Sequence, residues 1–198
     1  MRLTITVLTA LWLSLAQAYA GEIPKDPLNS VVWDQIYERH FAGKKVVFDG
    51  AVRVTAPKMA EDQMAVPVSV DARGLSGVER IIVIADLNPI QKILSFEPQQ
   101  AKPYIAFRFK VEQGTPLRAA AQTSDGVWHM GGMSIDAPGG GCSSPSLTAG
   151  KPDWTARFAE VRGKIWRGEA QSSARLKLRI QHPMDTGLAD GIPAFYIE

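Results

Sequence analysis

The sequence has little excess charge of either sign, with 22 lysine and arginine residues against 20 aspartate and glutamate residues among its 198. It also lacks long runs of like charge. Nucleic acids and other polyions are bound by surfaces whose charge is mostly of one sign. The sequence therefore predicts neither a nucleic-acid partner nor another polyionic one.

The motifs of common enzyme classes are missing as well. The sequence contains no Gly-x-Ser-x-Gly elbow, no phosphate-binding loop, no His-Glu-x-x-His pair and no Cys-x-x-Cys pair. A Cys-His dyad between Cys142 and His129 stays open, although a mobile segment would hold such a dyad poorly. We therefore predict a protein that is not an enzyme and that binds no cofactor.

Long hydrophobic runs are confined to the N-terminus. Arg2 precedes an apolar run from about Ile5 to Leu15, and Ala-Tyr-Ala at positions 18–20 forms a cleavage pattern. A membrane span needs roughly 20 apolar residues, so this run is too short to be one. We interpret residues 1–20 as a cleavable signal peptide. This predicts export to the periplasm and a mature chain with no membrane partner.

One amphipathic helix is predicted near the start of the mature chain, in SVVWDQIYERHFAG at residues 30–43. Asn29 or Ser30 is expected to cap its first turn, and Gly43 is expected to end it. His40 should be a buried or boundary histidine whose hydrogen bonds are satisfied. The apolar face, repeating with the helical period, comprises Trp33, Ile36, Tyr37, His40 and Phe41.

Short runs of β-branched and aromatic residues follow the helix. Turn signals separate KVVFDGAVRVTAP, MAVPVSVDA, ERIIVIADLN, KILSFEP and YIAFRFKVEQG. GTPLRAAAQTSDGVWHMGGMSIDAP adds two strands joined by a hairpin turn at Ser124, Asp125 and Gly126. This spacing predicts a mainly β protein, with a β-sandwich domain at residues 21–136.

Regular patterning stops at residues 137–152 and resumes in a shorter block at residues 153–198. WTARFAEVRGKIWRG, ARLKLRIQHP and IPAFYIE are predicted strands, with a turn between Gly168 and Ser173. The block is too short for an independent sandwich of about 100 residues. It therefore either completes the first sandwich or belongs to a truncated domain.

The only cysteine, Cys142, lies in the irregular segment, within DAPGGGCSSPSLTAG at residues 136–150. In an oxidising compartment an odd cysteine forms an intermolecular disulfide or stays free for use. On composition alone, the segment could equally be a linker whose cysteine is incidental. Composition thus leaves open an exported binding or structural module.

Several of these stretches resemble a known family. GGGC at residues 139–142, after VIADLNP and FRFKVEQGTPLRAAAQTSDG, resembles the sulfur-carrier subunit SoxY. QHPMDTGLADGIPAFYI at residues 181–197 resembles its partner SoxZ. The chain as a whole is similar to the fused SoxYZ-like carrier associated with quinoprotein dehydrogenases.

The resemblance implies an immunoglobulin-like SoxY sandwich followed by a truncated SoxZ-like domain at residues 153–198. It also implies that Cys142 carries sulfur intermediates covalently, as in thiosulfate oxidation, and presents them to periplasmic redox enzymes. Two features depart from the family pattern. First, Cys142 is internal, so the segment must enter a partner enzyme as a bend, and we expect that enzyme to have a wider cleft. Second, the chain stops at Glu198, where a SoxZ fold should continue.

The segment at residues 137–152 is predicted to be a flexible arm, with Gly139, Gly140, Gly141 and Ser143 supplying its mobility. The six residues that lead from Asp136 to Cys142 have, as glycine-rich chain, an r.m.s. reach of roughly 13 Å, so the thiol could visit a partner. Because no histidine or helix N-terminus is expected beside Cys142, we expect a thiol pKa near the ordinary value of about 8.5. Activation of the thiol is then expected inside a partner enzyme.

Two other clusters contain metal-ligand residue types. WHMGGMS supplies His129, Met130 and Met133, and such soft ligands bind Cu(I), although neighbours on a strand face opposite sides. The HPMD stretch at residues 182–185 is better explained by a structural turn. We therefore predict no metal site, with Cu(I) binding at the first cluster as the alternative.

Overall fold

The computed structural model describes residues 22–145, 153–168 and 173–188. The predicted signal peptide and the predicted strand IPAFYIE lie outside these residues. The described elements are α1 (Trp33–Phe41), β1 (Val46–Val47), β2 (Arg53–Thr55), β3 (Val66–Asp71), β4 (Val78–Ala85), β5 (Lys92–Phe96), β6 (Tyr104–Phe109), β7 (Thr115–Thr123), β8 (Trp128–Ile135), the 3-10 helix Thr155–Arg157, β9 (Val161–Arg167) and β10 (Ala174–Ile180).

Two sheets face each other across the main core. In the described residues, β1, β8, β7, β4 and β5 form one sheet in that order, and β2, β3 and β6 form the other. Strand β3 alternates buried with more exposed side chains, as a strand with one face on a core must. Aliphatic side chains from both sheets fill the space between them. The predicted mainly β sandwich is confirmed, and β7 and β8 form the predicted hairpin.

Helix α1 covers the outer face of the five-stranded sheet. The second half of β4 is a continuous apolar run because both of its faces are buried. Ile81 and Val83 belong to the core between the sheets, whereas Ile82 and Ile84 pack in a second core with α1. Among the described helices, none is long and apolar enough to cross a membrane.

The start of α1 differs from the prediction. Val32 occupies the N-cap position, and no side chain caps the helix there. Asp26 holds the preceding turn instead, because its carboxylate accepts hydrogen bonds from the amides of Leu28 and Ser30. Gly43 follows the helix with a φ of +67°, a conformation that glycine adopts without strain. The predicted end of the helix is therefore confirmed.

His40 is half-buried, as a boundary residue of the apolar face should be. The expectation that its hydrogen bonds are satisfied is wrong. Its Nε2 atom is buried and has no hydrogen-bond partner among the described residues. Burial and the positive charges of Lys92 and Arg39 lower the pKa of its imidazole. The ring is therefore neutral at neutral pH.

A buried ion cluster ties the segment before α1 to the five-stranded sheet. The Arg118 side chain on β7 is 1% exposed; its Nη1 lies 2.6 Å from Asp26 Oδ1, and its Nη2 lies 2.8 Å from Asp86 Oδ2. The guanidinium also lies over the Trp33 ring, 4.6 Å from its centroid. Burial opposes ionisation of Asp26, but hydrogen bonds from Arg118 and two backbone amides outweigh it and lower the pKa of this carboxyl.

Strands β9 and β10 form a separate hairpin. Among the described strands they pair only with each other, from Val161 opposite Ile180 to Arg167 opposite Ala174. Within the described residues this block therefore extends neither sheet of the sandwich. The predicted strand WTARFAEVRGKIWRG begins instead with the 3-10 helix and becomes β9 only from Val161. The predicted turn after Gly168 lies mostly outside the described residues.

The ion cluster generates a stability prediction. Asp26→Ala should lower the free energy of unfolding by about 3 kcal/mol, because it removes one of the two carboxylates that neutralise a buried guanidinium and leaves only Asp86. Urea unfolding followed by tryptophan fluorescence measures this. As a matched control, Asp71→Ala removes a half-buried carboxylate whose partner, Arg73, is exposed, and this should cost less than about 1 kcal/mol.

The same measurement has a pH dependence. Because the folded-state pKa of Asp26 is lowered, its contribution is present above the ordinary Asp pKa of about 3.9 and is lost as the pH falls below it. The difference between wild type and Asp26→Ala should therefore shrink from pH 4 downward. A difference that stays constant across this window, or equal losses for the two variants, would contradict the assignment.

Candidate functional site at Cys142

The cysteine arm is docked against the sandwich. Residues 110–112, which we call the docking strip, continue the chain beyond the end of β6. The Gly140 amide donates to the Glu112 carbonyl at 2.8 Å, and Cys142 Sγ lies 3.7 Å from the Lys110 carbonyl oxygen. The strip is also held to Gln63, whose carbonyl accepts the Val111 amide at 2.9 Å. The arm thus packs against backbone fixed by the fold.

The Glu112 carboxylate fixes the turn that contains the cysteine. Its Oε2 atom accepts the amide of Cys142 at 2.8 Å and the amide of Ser143 at 3.0 Å, while Oε1 accepts the Ser143 hydroxyl at 3.0 Å. The Ser144 amide closes the turn by donating to the Gly140 carbonyl at 3.1 Å. Charged acceptors make stronger hydrogen bonds than neutral ones, so Glu112 is the main anchor of the arm.

Gly141 is required by close packing against the chain's own backbone. A Cβ atom at this position would overlap the Val111 carbonyl oxygen and would lie 2.6 Å from the Gln63 carbonyl oxygen. Gly139 and Gly140 adopt φ values of +110° and +86°, which side chains disfavour. The glycine run was predicted to supply mobility, but in the structure it allows the arm to dock.

The Cys142 thiol is buried in the docked arm, with 4% of the residue exposed. The expectation of an ordinary thiol pKa is wrong. Burial and the negative charge of Glu112 raise the pKa of the thiol to about 11, although the positive charge of Lys110 opposes them. In the docked arm the thiol is therefore protonated and weakly nucleophilic.

The HPMDTG stretch covers the cysteine. The Thr186 hydroxyl donates to the Cys142 carbonyl at 2.6 Å, and Asp185 Oδ1 lies 3.5 Å from Lys110 Nζ. We call residues 182–188 the cover segment. The sequence predicted only a structural turn here, because nothing in the spacing places residues some forty positions apart beside each other. The likeness of this stretch to SoxZ was the one signal that set it apart.

The copper alternative is not supported by geometry. Met130 is buried in the core beneath α1, whereas Met133 packs against the core between the sheets. His129 Nδ1 lies 2.6 Å from Asp49 Oδ2, so this histidine has a carboxylate partner. Among the described residues, no group of three or more histidine, cysteine, aspartate or glutamate side chains could hold a metal ion.

These features define a class of protein, a β-sandwich that holds its single cysteine on a glycine-rich arm at the edge of the fold. Residues 38–142, about half of the chain, match the family model of the sulfur oxidation protein SoxY. The chain belongs to the SoxY family. It is therefore a carrier protein of sulfur oxidation rather than an enzyme, and the family implies interaction with other sulfur-oxidation proteins.

Solved structures resemble parts of the chain. The sulfur carrier protein SoxY from Chlorobium limicola f thiosulfatophilum is 21% identical and covers 52% of this chain and 94% of its own, with a TM-score of 0.44. A superoxide reductase (neelaredoxin) from Ignicoccus hospitalis is 16% identical and covers 43% of this chain and 79% of its own, with a TM-score of 0.37. Comparison with curated proteins gives no match.

The docked thiol is expected to react slowly with alkylating reagents. A pKa of about 11 leaves about 300-fold less thiolate at neutral pH than an ordinary thiol with a pKa of about 8.5 has. Near neutral pH, iodoacetamide should therefore modify native Cys142 at least about 100-fold more slowly than the same chain unfolded in urea, as followed by mass spectrometry. Similar rates for the native and unfolded chains would show that the arm is not docked in solution.

Gly141→Ala should release the arm. The added methyl group overlaps the backbone of the docking strip, and overpacking of this kind typically costs about 1–3 kcal/mol. The alkylation rate of Cys142 should rise about tenfold or more, while the unfolding midpoint of the sandwich changes little. Gly74→Ala is the matched control, because a Cβ atom there meets nothing within 4 Å. An unchanged rate in Gly141→Ala would argue against the close packing.

Proposed function

We propose that this protein carries a sulfur intermediate covalently on Cys142 and presents it to partner redox enzymes. The observation that carries the proposal is the position of this thiol. Cys142 is the chain's only cysteine, it lies on a glycine arm at the edge of the sandwich, and the match to the SoxY family ends at this residue. A carrier needs one sulfur atom on a segment that can leave the fold, and the glycine arm with its single cysteine fits this requirement.

The docked arm explains how such a carrier would protect its thiol between partners. A free cysteine in an oxidising compartment is open to disulfide formation and oxidation, and both reactions need the thiolate and access to it. Burial and a raised pKa limit both at Cys142. Activation would then require the arm to leave the docking strip, so that a partner enzyme can lower the thiol pKa within its own site.

We further propose that the protein works in the periplasm, exported by the predicted signal peptide. Its partners would be redox enzymes of sulfur oxidation or of a quinoprotein dehydrogenase system. The second β-block supports a fused SoxYZ-like arrangement, because its cover segment lies against the cysteine arm. In this arrangement the SoxZ-like part would act as a noncatalytic scaffold for the arm.

The second candidate is an exported binding or structural module that uses Cys142 for an intermolecular disulfide. The buried position of the thiol disfavours it, because a disulfide with another chain needs the sulfur atom at the surface. The two candidates differ in what is attached to the thiol in the native protein.

The deciding experiment is intact mass spectrometry of the mature protein, purified from its native compartment without reductant. A carrier should show a sulfur-containing mass increase on the monomer that reductant removes and that Cys142→Ser lacks. Ser143→Ala is the matched control and should retain the adduct, because it leaves the thiol in place. An unmodified monomer, or a simple disulfide dimer, would favour the binding or structural module.

A further inference from the structure

The ammonium group of Lys110 is a buried charge beside the docked thiol, and nothing above gives it a role. Its side chain is 5% exposed, and its Nζ atom contacts Asp185 Oδ1 at 3.5 Å and the Ser144 carbonyl oxygen at 3.3 Å. Charge-assisted hydrogen bonds between an ammonium and a carboxylate normally measure about 2.7–2.9 Å. A buried ammonium therefore lies here with contacts that are longer than such a charge usually makes.

Both contacts of this ammonium lie next to the cysteine. Ser144 is two residues from Cys142 on the arm, and Asp185 precedes Thr186, whose hydroxyl binds the Cys142 carbonyl. The positive charge of Lys110 also opposes the rise in the thiol pKa, which indicates that the ammonium acts electrostatically on the sulfur atom. The Glu112 carboxylate, unlike the Lys110 ammonium, already has short hydrogen bonds to backbone and hydroxyl donors of the arm.

The thiol has no room for an added group while the cover segment is in place, because only 4% of the residue is exposed. A group bonded to the sulfur atom must therefore displace either the arm or the cover segment. The cover segment touches the arm through Thr186 and the docking strip through Asp185. Met184 and Leu188 beside these contacts are about half exposed, whereas Pro183 and Asp185 are buried. Outward movement of the segment therefore exposes Pro183 and Asp185 together with the cysteine.

We propose that the Lys110 ammonium is the binding site for an anionic group carried on Cys142, and that Asp185 occupies this site while the thiol is unloaded. A sulfonate-bearing adduct then takes the place of the Asp185 carboxylate and releases the cover segment. The inference rests on the proposed carrier function, since it concerns the group attached to the thiol. It assigns the anionic class of cargo to one buried residue.

The test compares two small disulfides that differ in charge. Cys142 is equilibrated with the disulfide of 2-mercaptoethanesulfonate, which is anionic, or of 2-mercaptoethanol, which is neutral. In each exchange the Cys142 sulfur forms a bond to one reagent sulfur, the reagent S–S bond breaks, and the released thiol takes the Cys142 proton. The ratio of the two equilibrium constants, divided by the same ratio for the chain unfolded in urea, measures the preference for the anion.

The expected preference in the wild type is about tenfold for the anionic adduct, since a hydrogen bond to a charged group contributes at least this much. Lys110→Met should reduce it to about one. Asp185→Asn should increase it, because the competing carboxylate is gone while Lys110 stays. Lys102→Met is the matched control. Lys102 is an exposed lysine just before β6, whereas Lys110 comes just after it, so this change should leave the preference as it is in the wild type.

A wild-type preference near one would overturn the inference, as would a preference that Lys110→Met leaves intact. If Lys110→Met fails to fold, Asp185→Asn decides, because no increase in the preference would show that Asp185 does not occupy the site. These outcomes do not test the carrier function itself. That function is tested by comparing the masses of the native protein and of Cys142→Ser. A native adduct with no anion preference would support the carrier and reject the Lys110 site.

Discussion

The hydrogen bonds of the Glu112 carboxylate are the interaction on which the geometry of the cysteine arm depends. This carboxylate accepts the amides of Cys142 and Ser143, and its own backbone carbonyl accepts the Gly140 amide. Glu112 is held in turn by the sandwich, because its amide donates to the Asn88 side chain at 3.0 Å. The position of the thiol is therefore set by the end of β6 and by the loop after β4.

The strength of these contacts suits a segment that must both close and open. A typical hydrogen bond contributes about 1 kcal/mol net, and one to a charged group somewhat more. Undocking the arm therefore costs a few kcal/mol, much less than breaking either core. Segments that move in function come from this weakly held part of a structure. The sandwich can stay folded while Cys142 passes between a protected state and a reactive one.

Much of the fold could be predicted because its signals are local. The alternation in β3, the continuous apolar run in β4 and the hairpin at Asp125 and Gly126 each follow from residues next to one another. The capping prediction for α1 failed because Asp26, which holds the preceding turn, is itself anchored by Arg118, 92 residues further along the chain. No local pattern reports a contact at that separation.

The sequence by itself determined that there is one thiol, that it follows three glycines, and that β-strands flank it, because these are properties of neighbouring residues. Only the tertiary structure decided how reactive this thiol is. Lys110 and Glu112 are about 30 residues from Cys142, and Thr186 is 44 residues away, yet they set its burial, its pKa and its cover. A pKa depends on distances in space, and the path of the whole chain fixes those distances.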